Sequence, residues 1–157
     1  MATLVLRKTY LALEEEIKAS DKLRTETALK IQEAASHGDL KENYEYKAAK
    51  EAMNMITYKK QLIQSHAPFK IIEYDEIDTN EVQFGTKIKI LEEGKEEAED
   101  YYLLGPIEFE LDLYPMIITY SSPFALAVAG KKVNESFTLE IKGNETKFTV
   151  VEIEKVS

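Results

Sequence analysis

The chain has 157 residues, 44% of them hydrophobic and 31% charged, which suits one ordinary domain or two small ones and excludes a disordered chain. It contains no cysteine, which excludes disulfides, thiolate zinc sites, iron–sulfur clusters and cysteine nucleophiles. The sequence has no long apolar run and no signal-peptide pattern at its start, so we expect a cytoplasmic protein without a membrane partner.

Charge is distributed unevenly along the chain. Residues 1–72 carry 12 basic and 10 acidic side chains, a balance of +2, whereas residues 73–157 carry 8 basic and 19 acidic ones, a balance of −11. Binding to free duplex DNA depends on dense lysine and arginine surfaces. We therefore expect little affinity for free DNA and a protein as the main partner.

The composition changes near Pro68, and the first part predicts a helical domain over residues 1–74. This part is rich in alanine, leucine, glutamate and lysine, which lose little on entering a helix. A thin heptad seam is typical of an antiparallel coiled-coil hairpin, whose tip would lie near residues 39–42. In the first helix the seam is predicted at Tyr10, Leu13, Ile17, Ser20, Arg24, Thr27, Ile31 and Ala34, and in the second at Ala49, Met53, Ile56, Lys60 and Ile63.

The second part, residues 80–157, is predicted to be mainly β, which makes the fold class α+β with two domains. Pro123 and Gly130 bracket a short helix, and Lys142 to Glu145 is typical of a hairpin turn. Together these elements predict an antiparallel sheet with one short helix packed on it. The strands are predicted at residues 69–73, 82–91, 100–104, 117–120, 136–142 and 145–154.

The predicted tip has a structural interpretation that needs no chemistry. Gly38 suits the left-handed position that ends the first helix. Asp39 is then the N-cap of the second helix, and Glu42, three residues later, completes a capping-box pattern. Acidic groups are also favoured at this positive end of a helix.

The same two carboxylates also suit a metal. Asp39 and Glu42 are three residues apart, so they share one side of the hairpin end. Mg²⁺ usually takes one or two carboxylates and completes its shell with water and phosphate oxygens. The pair would therefore be half of a magnesium site, and the rest of the ligands would come from another molecule.

The tip string resembles the coiled-coil tip of the bacterial GreA/GreB transcript cleavage factors, and it is closer to the GreA branch. The matching residues are Gly38-Asp39-Leu40-Lys41-Glu42-Asn43-x-Glu45-Tyr46-x-Ala48-Ala49-Lys50. In the second domain, Leu104-Gly105-Pro106 and the stretch from Ser121 to Val133 resemble that family's C-terminal signatures, in the same order. The resemblance thus covers nearly the whole chain.

The resemblance implies a transcription elongation factor that is not itself an enzyme. Such a factor binds RNA polymerase, inserts its coiled coil through the secondary channel and stimulates Mg²⁺-dependent cleavage of backtracked nascent RNA. The C-terminal domain would be FKBP-like and would dock on the polymerase. No cofactor would be bound by the protein alone, and Mg²⁺ would be shared in the polymerase active site.

Carried over residue by residue, the family pattern makes Asp39 and Glu42 the catalytic, metal-sharing pair. Ala35 departs from it, since GreA proteins often have arginine there. Contacts of the tip with polymerase or the RNA 3′ end would involve Lys41, Asn43, Glu45, Tyr46 and Lys50, and polymerase docking would involve Ser121, Ser122, Pro123 and Phe124.

Two other functions remain open at this point. A channel-binding inhibitor of transcription could share the whole architecture while its tip carboxylates hold metal unproductively. A chaperone or proline isomerase is suggested only by the FKBP-like fold, which is a weak argument for function.

Overall fold

The computed structural model describes residues 2–38 and 40–157, with the backbone alone at residues 37 and 40–43. The chain forms two compact units, a helical unit of Leu11–Ala67 and a β unit of Met1–Tyr10 with Pro68–Ser157. In chain order the elements are β1 (Thr3–Leu6), α1 (Arg7–His37), α2 (Leu40–Gln64), β2 (Phe69–Ile72), a 3₁₀ turn (Tyr74–Glu76), β3 (Thr86–Glu92), β4 (Glu99–Leu104), α3 (Pro106–Glu110), β5 (Ile117–Thr119), α4 (Pro123–Val128), β6 (Ser136–Ile141) and β7 (Asn144–Lys155).

The helical unit consists of most of α1 and all of α2. The predicted seam of α2 is confirmed at every position, since its five residues are buried or half-buried. In α1 the seam is confirmed except at Ile17, which is 38% exposed, and at Arg24, which is also exposed. Two helices cover only a narrow stripe of each other, so side chains at the margin of the stripe remain in water.

Ion pairs link the two helices in addition to the seam. Lys59 Nζ lies 2.7 Å from Glu16 Oε1, and Lys60 Nζ lies 3.1 Å from Asp21 Oδ1. Exposed pairs of this kind contribute about 1 kcal/mol or less each. They help to specify which residues of α1 and α2 face each other more than they stabilise the unit. Among the described residues, no helix is both long and apolar enough to cross a membrane.

The β unit is built on a five-stranded sheet in the order β5-β4-β3-β7-β6. Its strands pair antiparallel except for β4 and β5, which are parallel. The prediction of an antiparallel sheet is thus correct for four strands. It is wrong for β5, because the chain passes through α3 before β5 and enters the sheet in the same direction as β4.

The core of the β unit lies between the sheet and α4. Along β3, Ile88 and Ile90 point into this core while Lys87 and Lys89 remain partly exposed, which is the period-two alternation expected of a half-buried strand. The buried members of the core are Val82, Ile88, Ile90, Leu103, Ala125, Val128, Phe137, Phe148, Val150 and Ile153. The predicted turn before β7 is confirmed, since Lys142 and Gly143 both have positive φ (51° and 82°), as a type I′ hairpin requires.

Strand β1 was not predicted. It pairs in parallel with β2, Thr3 opposite Phe69 and Leu6 opposite Ile72. A second core cluster then joins both ends of the chain to the sheet: Leu6, Ile77, Leu104 and Val156. The compact units therefore divide the chain differently from the predicted ranges 1–74 and 80–157, because the N-terminal strand completes the β unit.

Candidate functional site

The tip of the hairpin lies where α1 ends at His37 and α2 begins at Leu40. Between the two helices, Gly38 is exposed and has a φ of +79°. This is the left-handed conformation that glycine adopts without a steric penalty, so the predicted role of Gly38 at the end of the first helix is confirmed. Asp39, the first member of the predicted metal-sharing pair, lies outside the described residues.

The other carboxylate of the pair belongs to the first turn of α2. Lys41, Glu42 and Asn43 have helical backbone there, and their side chains lie outside the described part of the chain. The capping roles of Asp39 and Glu42 accordingly remain predictions.

Further along α2, the other three predicted contact residues, Glu45, Tyr46 and Lys50, have described side chains. Lys50 Nζ lies 5.3 Å from the centroid of the Tyr46 ring, within the range of a cation–π interaction. Tyr46 is half-buried and Glu45 is exposed. This pairing holds a cation and an aromatic face together, and both groups are suited to contact nucleic acid. Tyr44, by contrast, is 75% exposed.

Behind the tip, the two helices line a groove of about 690 Å³, which was not predicted from the sequence. Three alanines of α2 contribute little volume to its walls, Ala48, Ala49 and Ala52. Larger side chains at its edges, Leu23 and Met55, are 49% and 71% exposed. The spacing of these alanines in the sequence could have indicated the groove, since small residues near the seam leave space that the opposite helix does not fill.

The donor set at the tip fits magnesium chemically but incompletely. Asp39 and Glu42 supply hard carboxylate oxygens, which Mg²⁺ prefers. Within residues 2–38 and 40–157, leaving aside the side chains not described, no three histidine or acidic residues come together to hold a metal. The two tip carboxylates would need further ligands from a partner.

The predicted docking residues surround the start of α4. Ser122 is the N-cap, and its Oγ accepts a hydrogen bond from Ala125 N at 3.3 Å. Phe124 is half-buried and packs edge-on against Phe137 and Phe148, with ring centroids 5.4 Å apart in each pair. Ser121 and Pro123 are exposed. Half of this set therefore supports the fold, and the exposed half is accessible to a partner.

Tyr101 packs beside this surface, with its ring centroid 5.5 Å from that of Phe124. Burial and a hydrogen bond from its hydroxyl to Glu99 raise the pKa of Tyr101 to about 12. Tyr101 is thus a neutral phenol over the physiological range.

A buried carboxyl group on α3 was also missed. Glu108 is fully buried, and its oxygen atoms accept hydrogen bonds from the backbone of Leu6 and Gly105. The spacing Gly105-x-x-Glu108 indicates only a helix start. Nothing in the neighbouring sequence predicts the contact of Glu108 with the distant N-terminal strand.

Comparisons with known proteins cover both parts of the chain. Residues 3–66 match the model of the family described as transcription elongation factor, N-terminal, and residues 77–155 match transcription elongation factor, GreA/GreB, C-term. The chain is 33% identical over 146 residues to transcription elongation factor GreA of Thermodesulfovibrio yellowstonii, covering 92% of this chain and 91% of that protein. The chain belongs to the GreA/GreB family.

A second GreA protein has a similar level of identity. GreA of Magnetococcus marinus is 34% identical over 145 residues, covering 90% of each chain. Among solved structures, GreA factor homolog 1 of Thermus thermophilus is 19% identical, with 98% of this chain and 99% of that chain covered and a TM-score of 0.44. The two family models and the two GreA relatives confirm the predicted family, and the chain is a transcription elongation factor of the GreA type.

Proposed function

We propose that this GreA-type factor binds RNA polymerase, inserts its helical hairpin through the secondary channel and stimulates Mg²⁺-dependent cleavage of backtracked nascent RNA. Arrested complexes would thereby be rescued, and the hydrolysis itself would belong to the polymerase. The observation that carries the proposal is the tip string from Gly38 to Lys50, which lies at the end of a helical hairpin in a chain of this family.

The chemistry assigned to the tip follows from its carboxylates. Asp39 and Glu42 would complete the coordination of a Mg²⁺ ion whose other ligands come from the polymerase and the RNA. The bound ion would supply Lewis-acid activation of the phosphoryl group and of the attacking water. The two carboxylates would raise the rate if the ion they hold stabilises the charge of the transition state more than that of the ground state.

Around this pair, the other tip residues would bind and orient the partner. Lys41, Asn43 and Glu45 would contact the polymerase or the RNA 3′ end. Lys50, held at the face of Tyr46, would contact RNA phosphates. Docking outside the channel would belong to the β unit, through the exposed Ser121 and Pro123 at the start of α4, with Ser122 and Phe124 shaping that surface.

The test is a cleavage assay on backtracked elongation complexes with saturating factor. We expect Asp39→Asn and Glu42→Gln each to abolish stimulated cleavage while polymerase binding is nearly unchanged, since the amides keep the side-chain shape and remove the charge. The matched control is Glu51→Gln, the same change at an exposed position further along α2. The isolated protein with Mg²⁺ should not hydrolyse free RNA, because two carboxylates form an incomplete site.

Three results would contradict the proposal. Full stimulation by either tip variant would exclude the metal-sharing role of that residue. A wild-type protein that binds polymerase but only slows transcription would be the inhibitor of the same fold. Proline isomerisation of a test peptide, with no effect on polymerase, would place the activity in the β unit instead.

A further inference from the structure

Glu108 contacts two separate parts of the β unit. It is the third residue of α3 and is fully buried. Its Oε1 accepts a hydrogen bond from the N–H of Gly105 at 2.9 Å, at the start of its own helix. Its Oε2 accepts one from the N–H of Leu6 at 3.2 Å, at the end of β1. One carboxyl group thus joins α3 to the N-terminal strand.

The N–H groups of β1 that do not face β2 are paired with side chains. In a parallel pair, alternate backbone groups point toward the partner strand and the others point away from it. The N–H of Leu4 donates to the hydroxyl of Tyr120 at 3.2 Å, and that of Leu6 donates to Glu108. Tyr120 and Glu108 therefore occupy the place that another strand would take along this edge.

The backbone of β1 also passes very close to Gly105. A Cβ atom at this position would lie 2.9 Å from the carbonyl oxygen of Leu4 and 3.1 Å from Glu108 Oε1. Both contacts are shorter than carbon normally allows. Gly105 thus leaves room for β1 to lie against α3, with the carboxyl group of Glu108 beside it.

Strand β1 leads directly into the hairpin, since it ends at Leu6 and α1 begins at Arg7. The other end of the hairpin returns through β2, the partner of β1. We propose that Glu108 is a positioning residue, which keeps β1 in place and so attaches the hairpin to the β unit at both of its ends. This inference rests on the proposed function for its activity readout, but the attachment itself can be measured on the free protein.

Attachment of the hairpin at both ends would raise the effective concentration of its tip at the target. A tip attached through β2 alone would explore a larger volume and would occupy its target for a smaller fraction of the time. The loss would appear in the cleavage rate at saturating factor. The concentration of factor needed for half of the effect would stay the same, since docking of the β unit sets it.

The test uses Glu108→Gln in the full-length protein, because the amide can accept through only one oxygen. Hydrogen exchange at the Leu6 or Gly105 amide should become roughly tenfold faster or more, because a buried N–H loses its acceptor. The matched control is Glu110→Gln, on the same short helix, which should change neither amide. Tyr120→Phe removes only the acceptor of Leu4 and serves as a second variant if Glu108→Gln fails to fold.

In the cleavage assay, Glu108→Gln should lower the saturating rate several-fold and leave the half-maximal concentration unchanged. A reversible disulfide between positions 4 and 70, which oppose each other in the β1–β2 pair, should restore the rate when oxidised. The chain has no other cysteine to interfere. A rate that stays low after oxidation, or unchanged exchange at both amides, would overturn the positioning role; a wild-type protein without stimulation would instead refute the proposed function.

Discussion

The two units of this protein are held together in different ways. Within the described part of Leu11–Ala67, the buried residues are Leu13, Thr27, Ala34 and Ile63, and ion pairs across the helices supplement them. In the β unit, ten buried residues form one cluster between the sheet and α4, and another four join both chain ends to the sheet. Burial of apolar surface is the main stabilising term, so the β unit gains more hydrophobic stabilisation than the helical unit.

The difference in packing between the two units matches the different functions proposed for them. A hairpin with a narrow seam and a groove behind its tip has few contacts to lose, so we expect it to open locally at low cost. The residues proposed to act on RNA cleavage lie at its tip. The proposed docking residues lie instead on the densely packed unit, where Phe124 is fixed by its aromatic neighbours. The proposed docking function therefore belongs to the densely packed β unit, and the proposed function of the tip belongs to the sparsely packed helical unit.

The largest effect on stability should come from a pair of matched substitutions. Ile88→Ala, at a fully buried position, should lower the free energy of unfolding of the β unit by about 2–5 kcal/mol. Ile56→Ala, at a half-buried seam position, should lower that of the helical unit by about 1 kcal/mol. Urea unfolding followed by circular dichroism and tyrosine fluorescence measures both values. Equal losses would show that the seam is packed as densely as the β core.

A smaller effect, of opposite sign, is expected at Thr9. This residue lies in the first turn of α1 and belongs to the β unit, where its fully buried Oγ1 has no hydrogen-bond partner among the described residues. Thr9→Val keeps the shape and removes the unpaired hydroxyl, so it should stabilise the β unit by about 1 kcal/mol. Thermal unfolding checks this, with the exposed Thr25→Val as the control. Destabilisation of the Thr9 variant would mean that the hydroxyl has a partner in solution.

The smallest expected effect is on how the stability of the fold depends on pH. The Arg7 guanidinium bonded to Glu73 lowers the pKa of that carboxyl below its ordinary value of 4.5 in the folded protein. The pair therefore stabilises the fold above that value, and its contribution is lost as the pH falls through the lowered pKa. Both side chains are exposed, so the contribution is small. Glu73→Gln should lower the melting temperature slightly at neutral pH and leave it unchanged in acid; an equal loss at every pH would contradict this.

Much of this architecture was predictable because its signals are local. The alternation in β3, Gly38 after α1, and Lys142-Gly143 before β7 each follow from the backbone preferences of a few neighbouring residues. Strand β1 was missed because four residues carry little periodicity and their partner lies beyond the whole hairpin. Helix α3 was missed because its five residues begin with a proline that follows a glycine, a pattern that is also typical of a turn.

The residues of the candidate site also differ in whether the sequence alone predicts their role. The tip residues are contiguous in the sequence, so their pattern could be recognised without the fold. The role of Glu108 could not be recognised, because its partner Leu6 is brought to it only by tertiary structure. For the same reason the burial of Phe124 among Phe137 and Phe148 gives it a packing role that its motif alone does not indicate.

The parallel pairing of β1 with β2 also constrains the order in which the chain can fold during synthesis. Thr3 to Leu6 are synthesised before both long helices, yet their partner, Phe69 to Ile72, is made only after them. The contacts near the tip, by contrast, are between residues close in sequence, which generally form sooner. The first strand must therefore wait, unpaired, until the hairpin is complete, and it joins the β unit only when the C-terminal strands are available.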